Sequence, residues 1–464
     1  MDTKADITVS SRDVDEAFYA VEHQREAGEA TNIDEQTLLR KTDLQLMPLM
    51  FMCYFLQYSD KTLINYAAVM GLLDDVNFPD NGFSHLAIAF YCSFLFFESI
   101  QVFCLQRFPI AKWLGANTRS YAPLVVLRVL LGVFESATAP RFVTTQTCRY
   151  VANHRTCCVL AHRVWLRPLT ASSPDAKFKP WQVLFLLYGL VTVVTGILVL
   201  FLLPDNPMAS RFSPEEKIAA VERLRENQTG VENKHFKWAQ LRETLADPRT
   251  WILSMIVMST NIPNGAVSSF SSIIIENFGY DGSQPLLLNL PGAAVGFAAV
   301  FLGTWYAGRY NARGIAIIAL VIPTIIGGAL MAWLPPSDKA GLLVGNYLTS
   351  TVGASLPLMY SWIGANYSGH TKKVTMNAIV LMSFCVGNII GPETFQAKSA
   401  PAYIPPKITI VAVLSFAILL VLLLDHLFIL ENKMREQAGL VDMPANYEFM
   451  DLTDKENKNF RYLL

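Results

Sequence analysis

The chain has 464 residues, of which 52% are hydrophobic and 16% are charged, whereas a soluble globular protein carries about 25% charged residues. Its formal net charge of −1 argues against a nucleic-acid partner, because binding phosphates needs a clustered basic surface. The seven cysteines lack metal-ligand spacing, and no nucleophile triad or phosphate-binding loop stands out. We therefore predict no metal site, no cofactor and no enzymatic activity.

A helix that crosses the hydrocarbon core of a bilayer needs about 20 mostly apolar residues, and ten segments meet that need. In chain order they are residues 44–66, 86–106, 121–145, 181–203, 250–275, 286–306, 315–334, 341–363, 374–395 and 408–430. Four precede the polar stretch 211–249 and six follow it, whereas a transporter with two six-helix halves has six in each. We predict an all-α integral membrane protein with an incomplete first bundle at 44–203, a middle loop at 204–249 and a second bundle at 250–430.

Basic residues in short loops mark the cytoplasmic side of a membrane. Arg40 and Lys41 precede the first span, and Lys433 and Arg435 follow the last. Both polar termini, residues 1–43 and 431–464, are therefore predicted to be cytoplasmic, and the six spans of the second half alternate without conflict.

The alternation fails in the first half. If residues 121–145 are the third span, six basic residues between positions 149 and 179 fall outside the cell. One additional span before 121 and another after 155 would restore the charge pattern, so we infer that two of twelve helices are missing. Residues 151–180 are predicted to be poorly packed, because 156–173 has no sustained apolar period.

The middle loop contains a helix start. Ser213-Pro214-Glu215-Glu216 combines an N-cap serine, a proline at the first helical position and a glutamate at the third, and Gly230 is a natural stop. We expect this helix to lie against the cytoplasmic face and to join the two halves.

Two charged residues lie within the third predicted span. Arg128 and Glu135 are seven residues apart, which is about two helical turns, so both point to one face. A charge at the bilayer centre costs at least ~2.5 kcal/mol and must face a pathway or a partner. Arg128 would attract an anionic substrate and Glu135 would exchange a proton or hold Arg128; the alternative is a static ion pair that joins helices.

Other polar residues extend this candidate pathway. Asp60 and Asn65 lie in the outer part of the first span, and Glu98 lies in the second. Lys61 either contributes to the pathway or extends its ammonium group to the membrane interface. In the run 261–265, Pro263 is expected to break the helix, so that Asn261, Asn264 and freed backbone groups contact a substrate or ion; the alternative is a packing kink.

These residues resemble the fungal allantoate permease family, anion:cation symporters of the major facilitator superfamily. The similar segments are Asp60-Lys61-Thr62, Arg128-x3-Gly132-x2-Glu135, residues 203–207, 222–238 and 261–265, Ser361-Trp362-Ile363-Gly364-Ala365-Asn366, residues 369–373, Asn377-Ala378 and Gly387-Asn388-Ile389-Ile390-Gly391-Pro392. The resemblance covers residues 38–435 and is most specific in the second half. Two departures coincide with the charge conflict: the family's third helix is absent before 121, and 156–174 does not match its fifth helix.

The resemblance implies a major facilitator fold of two helix bundles and proton-coupled uptake of a small organic anion such as allantoate, ureidosuccinate, nicotinate or a similar carboxylate. Substrate would bind near the midplane between the halves, and Trp362 and Asn388 join the candidate residues. Glu135, and after it Asp60, would carry the coupled proton. A monomer in the plasma membrane is expected. The alternative is a transport-inactive truncated paralogue or a membrane sensor.

Overall fold

The computed structural model describes residues 62–72, 82–107, 180–202, 237–280, 284–394, 404–439 and 452–464, together with the isolated residues 41, 48, 52, 56, 59 and 213. Within these ranges the regular structure is helical and contains no strand. The predicted span 121–145, the segment 151–180 apart from Pro180 and the middle-loop helix after Ser213 lie outside the described residues.

The first half is represented by three helical stretches. Residues 62–67 are α-helical and continue into a π-helical turn, Ala68–Leu72, so this helix extends beyond its predicted end at 66. Two long helices follow, α1 (Gly82–Arg107) and α2 (Pro180–Leu202), which agree with the predicted spans 86–106 and 181–203 to within a few residues.

The second half is described almost without interruption. Its helices are α3 (Trp238–Ala246), α4 (Pro248–Asn277), α5 (Gln284–Leu288), α6 (Leu290–Tyr310), α7 (Arg313–Trp333), α8 (Lys339–Thr349), α9 (Ser355–Asn366), α10 (His370–Glu393) and α11 (Ile404–Ala438). A 3-10 turn, Ser350–Ala354, joins α8 to α9. After α3 the chain therefore crosses the bundle six times. From the charge pattern, we name the two ends of the bundle the predicted cytoplasmic end and the predicted outer end.

Four described helices are long and apolar enough to cross a membrane: α6, α7, α10 and α11. Shorter apolar stretches lie in α1, at Phe83–Phe96, and in α2, at Val183–Leu198. At 30 residues α4 is also long enough, but its serines, threonines and asparagines lower its hydropathy. Those polar side chains are mostly buried, which indicates a helix enclosed by its neighbours.

The expected helix break at Pro263 is wrong, because α4 is α-helical throughout. Proline has no N–H, so the carbonyl of Ser259, four residues earlier, loses its helical donor. On the turn before Pro263, Thr260 Oγ1 donates to Ile256 O and Asn261 Nδ2 donates to Val257 O, which adds side-chain hydrogen bonds to that part of the helix. The second half is interrupted elsewhere, at Ser350–Ala354 and at Asn289.

The C-terminal segment 452–464 packs on the predicted cytoplasmic end of the second bundle. Tyr462 stacks on Phe428 of α11, with ring centroids 5.1 Å apart, and the backbone N–H of Arg313 donates to Leu464 O at 2.6 Å. Asn366 exchanges two hydrogen bonds with the backbone of Leu463. This segment therefore ties the ends of several helices together.

Candidate functional site

Three asparagines meet between α4 and α10 in the middle of the second bundle. The Nδ2 atom of Asn264 lies 3.1 Å from Asn388 Oδ1 and 3.4 Å from Asn261 Oδ1. The amides of Asn261 and Asn388 also donate to backbone carbonyls of their own helices, at 2.8 and 2.7 Å. Two of the three side chains are thus held rigidly, and both direct a carbonyl oxygen at Asn264.

Asn264 is the member of this trio that can contact a ligand. Asn261 and Asn388 are buried, at 3% and 0% exposure, whereas Asn264 is partly exposed. The amides are neutral and do not titrate, so the trio suits recognition and does not itself carry a proton.

Glycines bring α4 and α10 close enough for these contacts. A Cβ atom at Gly265 would lie 2.7 Å from the Cα of Asn388, and one at Gly387 would lie 2.5 Å from Met258 O. Gly391, four residues beyond Gly387, would likewise contact Ile262 O. Small residues at this spacing let membrane helices approach backbone to backbone.

A second polar contact joins the two halves towards the predicted outer end. Asn65 is 3% exposed, and its Oδ1 accepts a 3.1 Å hydrogen bond from the backbone N–H of Ser272 in α4. On the same turn Ser271 Oγ donates to Asn289 Oδ1, and Asn289 Nδ2 donates to Ser272 Oγ. Asn289, at the break before α6, was not among the predicted site residues.

Apolar side chains close around this contact. Ile64, Leu72 and other first-half residues share one buried cluster with residues of α4, and Phe83 meets Phe270 edge to face at 5.4 Å. Further along, Tyr91 of α1 packs against Phe384 of α10, with centroids 6.2 Å apart. The two halves are therefore packed together at the predicted outer end.

An ionic cluster occupies the predicted cytoplasmic end. Lys372 is fully buried, and its Nζ lies 2.6 Å from Glu243 in α3 and 2.7 Å from Asp454 in the C-terminal segment. Asp454 also accepts a hydrogen bond from the Tyr462 hydroxyl. Burial and the negative charge of Asp454 raise the pKa of Tyr462, so its hydroxyl stays protonated and donates. The sequence placed Lys372 in a basic loop and gave no sign of these partners.

A second ion pair lies beside the first. Asp247 caps the first turn of α4, and both its oxygens accept hydrogen bonds from the Arg249 guanidinium, at 2.7 to 3.2 Å. Lys455 is 3.1 Å from the same carboxylate. Burial by itself would raise the pKa of Asp247, but Arg249 and then Lys455 outweigh it and hold the pKa at about 2.

The predicted site residues whose side chains are described fall into three groups. Asn261, Asn264 and Asn388 are brought together, and Asn65 lies at the contact between the halves. Trp362 is separate from both: its indole N–H donates to Leu463 O at 3.0 Å at the predicted cytoplasmic end. The remaining positions, Asp60, Lys61, Arg128 and Glu135, lie outside the described residues, as does the side chain of Glu98.

Comparisons with known proteins agree with this architecture. Residues 169–392 match the family profile described as Major Facilitator Superfamily. In fold, the chain is similar to a bacterial homologue of the human lysosomal transporter Spinster, in an inward-facing and unoccupied conformation, with a TM-score of 0.56 and 13% identity over 82% of this chain and 96% of that one. It is also similar to the xylose transporter XylE from E. coli, with a TM-score of 0.55 and 12% identity over 80% and 96%.

Three fungal relatives are each 34% identical to the chain. One is an uncharacterized transporter of Schizosaccharomyces pombe, aligned over 98% of this chain and 94% of its own length. The other two are proteins of Saccharomyces cerevisiae. The thiamine pathway transporter THI73 aligns over 97% of this chain and 91% of its own length, and allantoate permease aligns over 99% of this chain and 92% of its own length. The alignment with allantoate permease spans 505 positions, more than the 464 residues of this chain, so that relative carries residues which the chain lacks. These relatives are transporters and not enzymes. Together, the helices and the comparisons describe this chain as a multi-pass membrane protein that handles a small-molecule substrate. The chain belongs to the fungal allantoate permease family of the major facilitator superfamily.

Proposed function

We propose that the chain takes up a small organic anion together with a proton, and that the substrate binds near the midplane beside α4 and α10. The observation that carries this proposal is the trio of Asn261, Asn264 and Asn388. It places the partly exposed amide of Asn264, backed by two buried amides, near the middle of the α4–α10 pair. The relative named allantoate permease acts, by its name, on a carboxylate, and that name supports an organic anion as the substrate class.

The proposed division of roles follows from charge. Arg128 supplies the fixed positive charge that an anion needs, and its guanidinium suits a carboxylate through two parallel hydrogen bonds. Glu135 exchanges the coupled proton, with Asp60 as the second candidate, because coupling needs a carboxylate whose pKa changes with access to the two sides. Asn264 then contributes a hydrogen bond that orients the substrate without titrating.

The direct test is uptake by the purified chain in liposomes with an imposed proton gradient, using allantoate and a series of related carboxylates. Asn264→Asp is isosteric and adds a negative charge, so it should depress anion uptake more than Asn264→Ala does. The matched control is Asn311→Asp, the same change at the exposed turn between α6 and α7. Uptake that improves in Asn264→Asp would point to a cationic substrate and overturn the proposal.

Arg128 and Glu135 are tested in the same assay. Arg128→Gln should remove most binding, and Arg128→Lys should retain part of it because the charge remains but the two-pronged geometry is lost. Glu135→Gln mimics the protonated carboxyl group, so exchange of substrate across the membrane should persist while gradient-driven accumulation fails. Normal accumulation in Glu135→Gln would exclude Glu135 from coupling and direct the test to Asp60 or Glu98.

The alternative function is a transport-inactive paralogue or membrane sensor. Its support is the charge conflict between 107 and 181, together with the additional residues that allantoate permease carries. Transcript or genomic sequence around codons 112–180 would show whether two helices were lost in gene prediction. If a version with those helices restored transports and this chain does not, the alternative is correct for this chain.

We also propose a plasma-membrane location, a monomer and cytoplasmic termini. The charge pattern around Arg40, Lys41, Lys433 and Arg435 supports the orientation. A reporter that is active only in the cytoplasm should be active when it is fused to the C-terminus, and a reporter that is active only outside the cell should be inactive there.

A further inference from the structure

The short helix α3 lies across the end of the second bundle. At its start, the backbone N–H of Lys237 donates to Thr371 Oγ1 at the first turn of α10, at 3.1 Å. At its end, the single residue Asp247 separates it from α4. Nine helical residues span ~13 Å, slightly more than the 8–10 Å between packed helix axes. Because α4 and α10 begin at the same end of the bundle, α3 bridges their ends and runs roughly in the plane of the membrane.

The two faces of α3 differ. Gln240 and Thr244 are buried on the inner face, where Gln240 Oε1 accepts from the backbone N–H of Lys372 at 3.3 Å. The outer face exposes Trp238 and Leu245, which are 69% and 44% accessible, and Arg242 between them. At 100° per residue these three side chains lie within about 60° of one another, so they form one stripe. We call Trp238, Arg242 and Leu245 the α3 stripe.

The α3 stripe continues onto the exposed surface of α4. Trp251, in the first turns of α4, is 52% accessible, and its indole N–H donates to Leu245 O at 2.9 Å. Met255, one turn further, is 47% accessible. Asn264 is thirteen positions beyond Trp251, which places the two side chains about 140° apart around the helix. Trp251 therefore points away from the asparagine trio, towards the surface that a membrane-spanning helix presents to lipid.

We propose that α3 is a membrane-interface helix, which inserts Trp238 and Leu245 into the cytoplasmic leaflet and binds anionic phospholipid headgroups through Arg242. Tryptophan concentrates at the boundary between headgroups and acyl chains, where its ring is apolar and its N–H remains polar. The cytoplasmic leaflet carries the anionic lipids, which match the positive charge of Arg242. The proposal goes beyond substrate transport, and it relies on the proposed orientation only for the choice of leaflet.

This contact would also link the lipid to the transport helices. Glu243 of α3 is paired with Lys372 of α10, and Asp247 joins α3 directly to α4. Those two helices carry Asn264 and Asn388. A lipid held by the α3 stripe would therefore stabilise the relative position of the helix pair that we propose for substrate binding.

The test uses the full chain in nanodiscs of phosphatidylcholine, with or without phosphatidylserine. The emission of Trp238 is obtained as the difference between the original chain and Trp238→Phe. It should be quenched by lipids that carry a spin label near the headgroup and protected from aqueous iodide. Trp362→Phe is the control, because Trp362 is buried, and its difference signal should respond to neither quencher. Quenching of Trp238 by iodide but not by lipid would overturn the proposal.

The charge is tested by the phosphatidylserine that remains bound after detergent extraction. Arg242→Gln should lower the preference for phosphatidylserine about fivefold, which corresponds to the ~1 kcal/mol that one basic residue contributes near an anionic surface. Lys458→Gln removes the same charge from an exposed position in the C-terminal segment and should have no such effect. Equal losses in both variants, or no loss in either, would contradict specific binding at α3. The melting temperature of each variant is measured alongside. If Trp238→Phe does not fold, Leu245→Gln, which retains all charges, should reduce the quenching of the total tryptophan emission by labelled lipid, because it weakens insertion of α3.

Discussion

Replacing Lys372 by methionine should destabilise the second bundle more than any other single charge removal at its predicted cytoplasmic end. The Lys372 ammonium group is fully buried between Glu243 at 2.6 Å and Asp454 at 2.7 Å, and the Asp454 side chain is 1% exposed. Lys372→Met leaves two close carboxylates without their cation. Removing one partner of a buried ion pair costs about 3–5 kcal/mol, because the remaining charge is neither paired nor hydrated.

The assay is the apparent melting temperature of the purified protein in detergent, together with the protease sensitivity of segment 452–464. Lys372→Met should lower the melting temperature and release the segment, whereas Lys433→Met, at an exposed position on α11, should change neither. Adding Glu243→Gln and Asp454→Asn to Lys372→Met removes the uncompensated charges and should recover much of the loss. A single variant as stable as the original chain, or a triple variant no better than the single one, would refute the argument.

Three further predictions concern α4. Gly265→Ala should lower the free energy of unfolding by about 1–3 kcal/mol, because the added Cβ would lie 2.7 Å from the backbone of α10. Gly364→Ala, whose Cβ would have no atom within 4 Å, should be neutral or stabilising, and thermal unfolding of the two variants measures the difference. Asn65→Ala removes the buried hydrogen bond that the Asn65 side chain accepts from the N–H of Ser272, at a cost of about 0.5–1.5 kcal/mol, so amide exchange in 62–72 should accelerate, and unchanged exchange would contradict the assigned contact. Asp247→Asn should lower the free energy of unfolding by about 2 kcal/mol near neutral pH, since the pKa of Asp247 is held at about 2 instead of 3.8. This stabilisation is present above about pH 4 and disappears as the pH falls through 2. A difference in melting temperature between the variant and the original chain that persists at the lowest pH would refute the assignment.

The class of the protein and the approximate positions of several described helices were predictable from the sequence. Length and apolar content are local properties, so the spans 181–203 and 315–334 agree with α2 and α7 to within two residues. Asn261 and Asn264 were candidates because they flank Pro263 in an apolar segment, whereas Asn388 became a candidate only through the family resemblance. The unbroken path of α4 through Pro263 was not predictable, because a proline inside a helical segment indicates a break or a kink and only the structure shows the helix continuing.

Which polar groups meet follows from the packing of the helices and could not be read from the sequence. Asn264 and Asn388 are 124 residues apart in the chain, and Glu243 and Lys372 are 129 apart, so no local pattern relates them. Their partners depend on glycines that bring α4 against α10 and on a C-terminal segment that folds back under the bundle. For this reason Lys372, which in sequence is one basic residue of a loop, became a buried ion-pair centre. Trp362, which resemblance placed with the pathway residues, instead donates its hydrogen bond to the C-terminal segment.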